Sequence, residues 1–548
     1  MVKRLFLLCL CLASYVSHAH FTVVHNVKGY TPTRSGEIAQ FSTLVIKDGK
    51  VVKTGNADTL KQYPQSTVID GQGLTMLPGL IDAHGHVIGL GENLSRLDLR
   101  HTKSVSEVGQ RLKQYAKNNP TGWIIGRGWD QTKWTPSQFP TAQDLDKYVS
   151  DRPVVLTRVD GHAIWVNSKA MALANISNDV TTPEGGEILR LADGAPSGLF
   201  IDKAEPLILN HVPERTSTQL NNALDKAASH LLSLGITSVH DAGIDEATWR
   251  LYKNRSAQQS MPLRVYAMLS ASDPNLKNML KSGIVKEQTD YLTIRSVKIY
   301  ADGALGSRGA ALLKDYKDRP GHRGLMLEQQ PALEALIRLS VKHGFSAHTH
   351  AIGDRANRIV LDSYQTVFKE TGGKLLRNRV EHAQIVDTDD IPRFKSLKII
   401  PSMQPVHATS DMHMAQQRLR ESQLTGAYAW QTFLKHGIKV AAGSDFPVEL
   451  ANPFDGLYAA ITRMDKAQKP KGGWRNTEKL SREQALTAFT LDAAYAAFQE
   501  FKIGSLEHGK WADFILIDRD YFQVEEAQLH NIQVQQTWIA GKPKYKRN

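Results

Sequence analysis

His84-Gly85-His86 closes the apolar run Leu77-Pro78-Gly79-Leu80-Ile81-Asp82-Ala83. Alternate residues of a strand face the same side, so both imidazoles enter one space, where they can bind one metal ion. Taken alone, such a pair could equally be a solvated strand end. Similar apolar segments recur downstream, however, and they end in further potential ligands: Lys298, His350, His382 and Asp445. Five such stations in one chain point to a metal centre assembled from strand ends. His348, two residues before His350 on the same strand, is a competitor for its place. His240 reads as a satisfied strand-end histidine, and Asp302 and Asp354 read as turn or cap residues beside glycines.

Eight strand-like segments must position these groups. They end near His86, Asp241, Ser270, Lys298, His350, His382, Gln404 and Asp445, and helix-like segments separate most of them. Eight parallel strands alternating with helices make an α/β fold, the (β/α)₈ TIM barrel, with its site at the C-terminal strand ends. The barrel is expected over residues 77–499. Residues 100–215 are too long for one strand-to-helix connection, so an insertion is expected there, after the first strand and at the barrel mouth. Residues 20–76 and 500–548 hold short alternating stretches, including a hairpin turning at Asp48-Gly49, and neither group can bury a core alone. One small β-sandwich built from both chain ends is the economical solution.

The chain has 548 residues, of which 41% are hydrophobic and 22% charged, and this composition describes a well-packed protein of two or three units. Lys3 and Arg4 precede the apolar run Leu5–Val16, and Ser17-His18-Ala19 supplies the small residues of a cleavage site. Residues 1–19 are therefore expected to be a signal peptide, cut near Ala19 or His20, with export to the periplasm or the exterior. The apolar run is short for a membrane anchor, and no stable membrane insertion is expected after cleavage. Cys9 and Cys11 lack a convincing lipobox, and both fall inside the removable segment. Any metal site must then use histidine, carboxylate or modified lysine. The net charge of +12 is dispersed among acidic residues, without the basic tracts that follow a nucleic-acid backbone. Asn93, Asn175 and Asn254 lie in glycosylation sequons, which matter only in a eukaryotic secretory pathway.

The strings Leu77–His86, Lys298-Ile-Tyr-Ala-Asp-Gly303, His350-Ala-Ile-Gly-Asp-Arg-Ala356, Arg379-Val-Glu-His-Ala-Gln384, Met403-Gln404-Pro405 and Gly443-Ser-Asp-Phe-Pro447 follow one another in order. Gly128-Trp129-Asp130 with Trp134, and Gly161-His162-Ala163 with Asn167-Ser-Lys-Ala170, accompany them. In these strings the chain resembles the amidohydrolase superfamily, and within it the amidohydrolase family 3 group that includes N-substituted formamide deformylase. The resemblance implies two divalent metals, most often zinc. They would be held by His84, His86, His350, His382, Asp445 and a Lys298 carrying a CO₂-derived carbamate. His350 is preferred to His348 because it adjoins the Ala-Ile-Gly-Asp string. An ordinary ammonium cannot coordinate a metal, so Lys298 is a ligand only as the carbamate; otherwise it is a strand-end lysine paired with Asp302.

The implied reaction is hydrolysis of a non-peptide C–N bond of a small-molecule amide by metal-activated water, with Asp445 as general base. Trp129, Asp130, His162 and Arg308 are candidates for the substrate pocket, with packing the alternative for Trp129 and ion pairing for Arg308. The same barrel also serves deaminases, dipeptidases and ester hydrolases. Deaminases of the superfamily usually work with one metal and without the strand-four lysine, so Lys298 favours amide hydrolysis. A binding protein that kept the barrel would be expected to lack a ligand, and none is missing here. Homo-oligomerisation stays open.

Overall fold

A computed structural model describes residues 21–158, 163–183 and 186–548. The expected signal peptide and its cleavage site lie outside the described residues, as does His162.

Eight parallel strands run in order around one sheet: β1 (Leu80–Gly85), β2 (Ile236–Ile244), β3 (Arg264–Ser270), β4 (Leu292–Tyr300), β5 (Ser346–Ala351), β6 (Arg379–His382), β7 (Ile400–Met403) and β8 (Ala441–Ala442). Each is rich in β-branched or small residues and almost wholly buried, as strands covered on both faces must be. Helices such as Gln330–Lys342 and Asp354–Thr371 separate them, giving the (β/α)₈ barrel expected from the sequence. The ring closes between β1 and the segment after β8. Gly85 pairs in parallel with Phe446, the Asp445 N–H donates to the His84 carbonyl at 2.7 Å, and the His86 N–H donates to the Phe446 carbonyl at 2.8 Å.

This closure changes one expectation. Asp445 lies three residues beyond β8 rather than at a strand end, in a left-handed conformation with φ 62°. Gly443 is needed just before it, because a Cβ there would sit 2.6 Å from both Asp82 Oδ1 and the His84 nitrogen. The buried Asp82 carboxylate ties the turn down by accepting from the Ser444 N–H and hydroxyl.

Two further sheets contain both chain ends. One holds Lys50–Gly55, Thr43–Lys47, Phe21–His25 and Thr67–Asp70. The other orders Lys542–Lys546, Val534–Ile539, Phe514–Ile517, Thr75–Pro78, Lys28–Pro32 and Ile38–Phe41. Val24, Leu44, Ile46, Met76, Phe514, Leu516 and Trp538 share one buried core. In the second sheet the C-terminal strand Phe514–Ile517 pairs with the N-terminal strand Thr75–Pro78, so each end supplies edges the other lacks. The hairpin turns at Asp48 and Gly49, both at positive φ. At the start of β3, buried Arg264 grips Asp513 through two hydrogen bonds of 2.6 and 3.0 Å.

Residues Ile88–Ala227 form a separate compact unit, wider than the 100–215 expected for the insertion. It has its own six-stranded sheet and a core containing Trp129, Trp134 and Trp165. Among the described residues no helix is long and apolar enough to cross a membrane.

Candidate metal centre

At the C-terminal end of the barrel, His84 is fully buried and fixed through Nδ1, which donates to the Glu381 carboxylate. A carboxylate can only accept, so the proton sits on Nδ1 and the Nε2 lone pair points into the barrel. That nitrogen lies 3.1 Å from Lys298 Nζ and 3.7 Å from Asp445 Oδ1. His86 Nε2 approaches the same Asp445 oxygen at 3.2 Å. His382 is oriented in the same manner: its Nδ1 donates to Gln404 Oε1 at 2.7 Å, which frees Nε2. Ring centroids of His382 lie 4.9 Å from His84 and 4.6 Å from His350. The five stations thus meet in one place.

Burial sets the charge states. It lowers His84 to about 4, with Lys298 adding to the effect and Glu381 opposing it. His382 is pushed well below the usual imidazole range by burial and by His350. Burial also brings the Lys298 amine down to about 8, against the pull of Glu381 and Asp445. For Asp445 burial acts upward, but the surrounding imidazoles of His86, His84, His382 and His407 outweigh it and hold the carboxyl far below its ordinary range. At neutral pH the centre therefore presents neutral imidazoles at His84 and His382, an ionised carboxylate at Asp445 and a lysine amine with a neutral fraction. This is the donor chemistry a divalent cation such as zinc requires. Two sets of ligand atoms are close enough to share an ion: His84, His86 and Asp445, and His382, His407 and Asp445. In each set all the ligand atoms lie within 4.8 Å of one another. The buried Nε2 atoms of His350 and His407 have no hydrogen-bond partner among the described residues.

Three groups around this centre were given no role from the sequence, although two of them, Arg379 and Glu381, lie in the string Arg379–Gln384. Glu381 is flanked by the buried Arg379, whose guanidinium donates to Glu381 Oε1 at 2.7 Å and to His240 Nδ1 at 2.8 Å. Burial would raise the Glu381 carboxyl, but Arg379 and His84 keep it well below the usual carboxylate range. His407 comes from the helix Pro405–Arg418 that follows β7. The signal for Arg379 and Glu381 was their place in the string that carries His382; His407 had none, because a helix turn rather than a strand end delivers it.

The alternatives weighed from sequence also find their places. His348 lies one layer below His350, fully buried and stacked on Tyr266 with centroids 5.9 Å apart. His350 Nε2 faces Asp302 Oδ1 at 3.5 Å. Asp302 does more than form a turn: its two oxygens accept the backbone N–H groups of Ala311, Ile352 and Gly353, joining the loops after β4 and β5. Asp354 starts a helix and accepts from the Leu313 N–H and Gln423. Trp129 is fully buried within its own unit, tilted against Trp134 and edge-on to Trp165 while its N–H donates to the Leu156 carbonyl, which is the packing alternative. Asp130 pairs with Arg158 at 3.1 Å. Arg308, at φ 59°, pairs with Asp318 at 2.7 Å, which is the ion-pairing alternative.

Comparison with known proteins agrees with this geometry. A family model described as "Amidohydrolase family" matches residues 67–545. The chain is 31% identical over 519 residues to Protein LONG AFTER FAR-RED 3 of Arabidopsis thaliana, covering 92% of this chain and 88% of that one. It is 25% identical over 520 residues to the N-substituted formamide deformylase of Arthrobacter pascens, covering 92% and 95%. A crystal structure from Pyrococcus horikoshii OT3, described as an uncharacterized metal-dependent hydrolase, superposes with a TM-score of 0.78 at 29% identity, covering 92% of this chain and 99% of that one. With the match running through the segments that carry His84, Lys298, His382 and Asp445, the chain belongs to the amidohydrolase family and is a metal-dependent hydrolase.

Proposed function

We propose that this hydrolase cleaves a non-peptide C–N bond, the amide of a small molecule, with His84, His86, Lys298, His350, His382 and Asp445 holding two divalent metals, zinc in the first instance. The observation that carries this reading is the placement of Lys298 Nζ 3.1 Å from His84 Nε2 inside the imidazole cluster. A lysine in that place is useful to a metal only after its neutral amine adds CO₂. The N–C bond forms, one proton leaves to solvent, and an anionic carbamate with two oxygens remains. The lowered amine favours that addition. The name of the Arthrobacter pascens relative, an N-substituted formamide deformylase, supports the amide as substrate class.

When bound, the metals would supply a water that ionises near neutral pH and would polarise the substrate carbonyl. The chain's own residues do the rest. Asp445 Oδ1, beside His84 and His86, accepts the proton as the water oxygen bonds to the carbonyl carbon. It then returns that proton to the nitrogen as the C–N bond breaks, so the amine leaves neutral. Glu381 and Gln404 hold the two imidazole rings in the tautomers that leave Nε2 available.

The test is elemental analysis of protein purified without chelator, run beside hydrolysis of formamide and acetamide derivatives with the released amine quantified. About two metals per chain and amine release are expected. Metal near zero in fully active protein would refute the centre, and ammonia released from a ring substrate would move the chain to the deaminases. Export is proposed on the basic start and apolar run of residues 1–19. A mature N-terminus near His20 or Phe21 is expected, and an intact Met1 on protein from the native host would refute it.

A further inference from the structure

His407 stands at the same centre without a role in the scheme above. It lies in the first turn of the helix Pro405–Arg418, its side chain is 13% exposed, and its Nε2 is buried without a hydrogen-bond partner among the described residues. A buried polar atom left unpaired costs about 1–3 kcal/mol, so its persistence calls for an occupant that satisfies it. That nitrogen is 3.9 Å from Asp445 Oδ2. The other oxygen of the same carboxylate, Oδ1, faces His86 at 3.2 Å and His84 at 3.7 Å. The His407 ring is stacked on His382, with centroids 6.0 Å apart and planes at 21°. Donors that each sit about 2.0–2.1 Å from one zinc ion are at most roughly 4.2 Å from each other. The His407–Asp445 separation already meets that limit, and the spread of 4.8 Å allowed within the group with His382 closes by a small side-chain movement.

We propose that His407 is a further metal ligand, which joins His382 at one of the two cation positions on the Oδ2 side of Asp445, while the ligands named above keep their places. A residue from the helix after β7 then supplements the ligands carried by the strands and by the turn after β8. The inference rests on the metal-dependent reading above, and the experiment separates the two. Wild-type protein, stripped with chelator and titrated with Zn²⁺, is compared with His407→Ala, His407→Gln and, as a control on the same helix, His413→Ala. Thermal melting of each metal-free protein checks folding.

Two tight equivalents are expected for wild type and His413→Ala. In both His407 variants one equivalent should weaken by more than about 100-fold, beyond the 10–100-fold typical of a residue that merely orients a ligand. The other equivalent should hold, and the metal-free melts should be unchanged. Co²⁺-loaded variants should show an altered visible spectrum. Two tight equivalents in His407→Gln, with turnover alone reduced, would overturn the ligand assignment and leave the metal-dependent reading intact. Wild type that takes up no metal would overturn both.

Discussion

Asp445 is asked to hold metal and to move a proton, and the two duties can be separated at one atom. Asp445→Asn keeps an oxygen in place but cannot accept a proton, so metal content should fall less than turnover. A general base contributes on the order of 10² to 10⁴ in rate, and the loss should reach the upper part of that range because the same group protonates the leaving amine. Activity within about tenfold of wild type, with metals retained, would point to another base. Lys298 offers a second residue-level test. Lys298→Arg, which stays cationic and cannot form a carbamate, should lose metal and activity; Lys298→Ala should regain part of both with short carboxylic acids. Because burial brings the amine to about 8, its neutral fraction reaches one half at that pH and levels about one unit above it. Reactivation of metal-free protein at fixed dissolved CO₂ should therefore rise with pH with a midpoint near 8. A rise continuing to the ordinary lysine range would show an amine the fold does not perturb. Glu381→Gln removes the charge that fixes the His84 tautomer, and Zn²⁺ affinity should fall about 10–100-fold, as read by competition with a chelator.

At the scale of elements, the segment after β8 does the work a longer strand would do elsewhere. Gly443, the Asp82–Ser444 hydrogen bonds and the Gly85–Phe446 pairing bring Asp445 beside His84 while closing the barrel. Gly443→Ala would drive a methyl group against Asp82 and the His84 backbone. It should cost about 1–3 kcal/mol by the usual penalty for overfilling a packed site, with loss of metal at protein concentrations where wild type retains it. Chemical denaturation and elemental analysis check both, and an unchanged Zn²⁺ affinity would show that the turn adapts without moving Asp445.

Across the barrel and sandwich together, folding depends on both chain ends. The pairing of Phe514–Ile517 with Thr75–Pro78 ties the C-terminal strands to the strand before β1, and the buried Arg264–Asp513 pair ties them to the start of β3. Removing one partner of a buried ion pair strands the other charge. Asp513→Ala should therefore cost about 3–5 kcal/mol in denaturant unfolding, while an Arg264→Met/Asp513→Leu double replacement should recover much of that loss. If the single substitution costs less than about 1 kcal/mol, the pair carries no more than an exposed ion pair would.

The sequence by itself determined the barrel, the composite sandwich and the strand-borne histidines and lysine that the fold brings together. Strand periodicity is local, and a histidine or lysine closing an apolar run must emerge at the C-terminal rim once eight such strands become parallel. It could not place Asp445 three residues past its strand, because that position depends on the closure contacts with β1 rather than on local pattern. Nor could it separate His348 from His350 by geometry: both point inward, and only the stacking of layers shows one beneath Tyr266 and the other beside His382. The roles of Arg379, Glu381 and His407 were decided by tertiary structure, although Arg379 and Glu381 lie in the string that carries His382. Their significance lies in what they face across the barrel, in distances between residues far apart in the chain, and a linear pattern does not contain those distances.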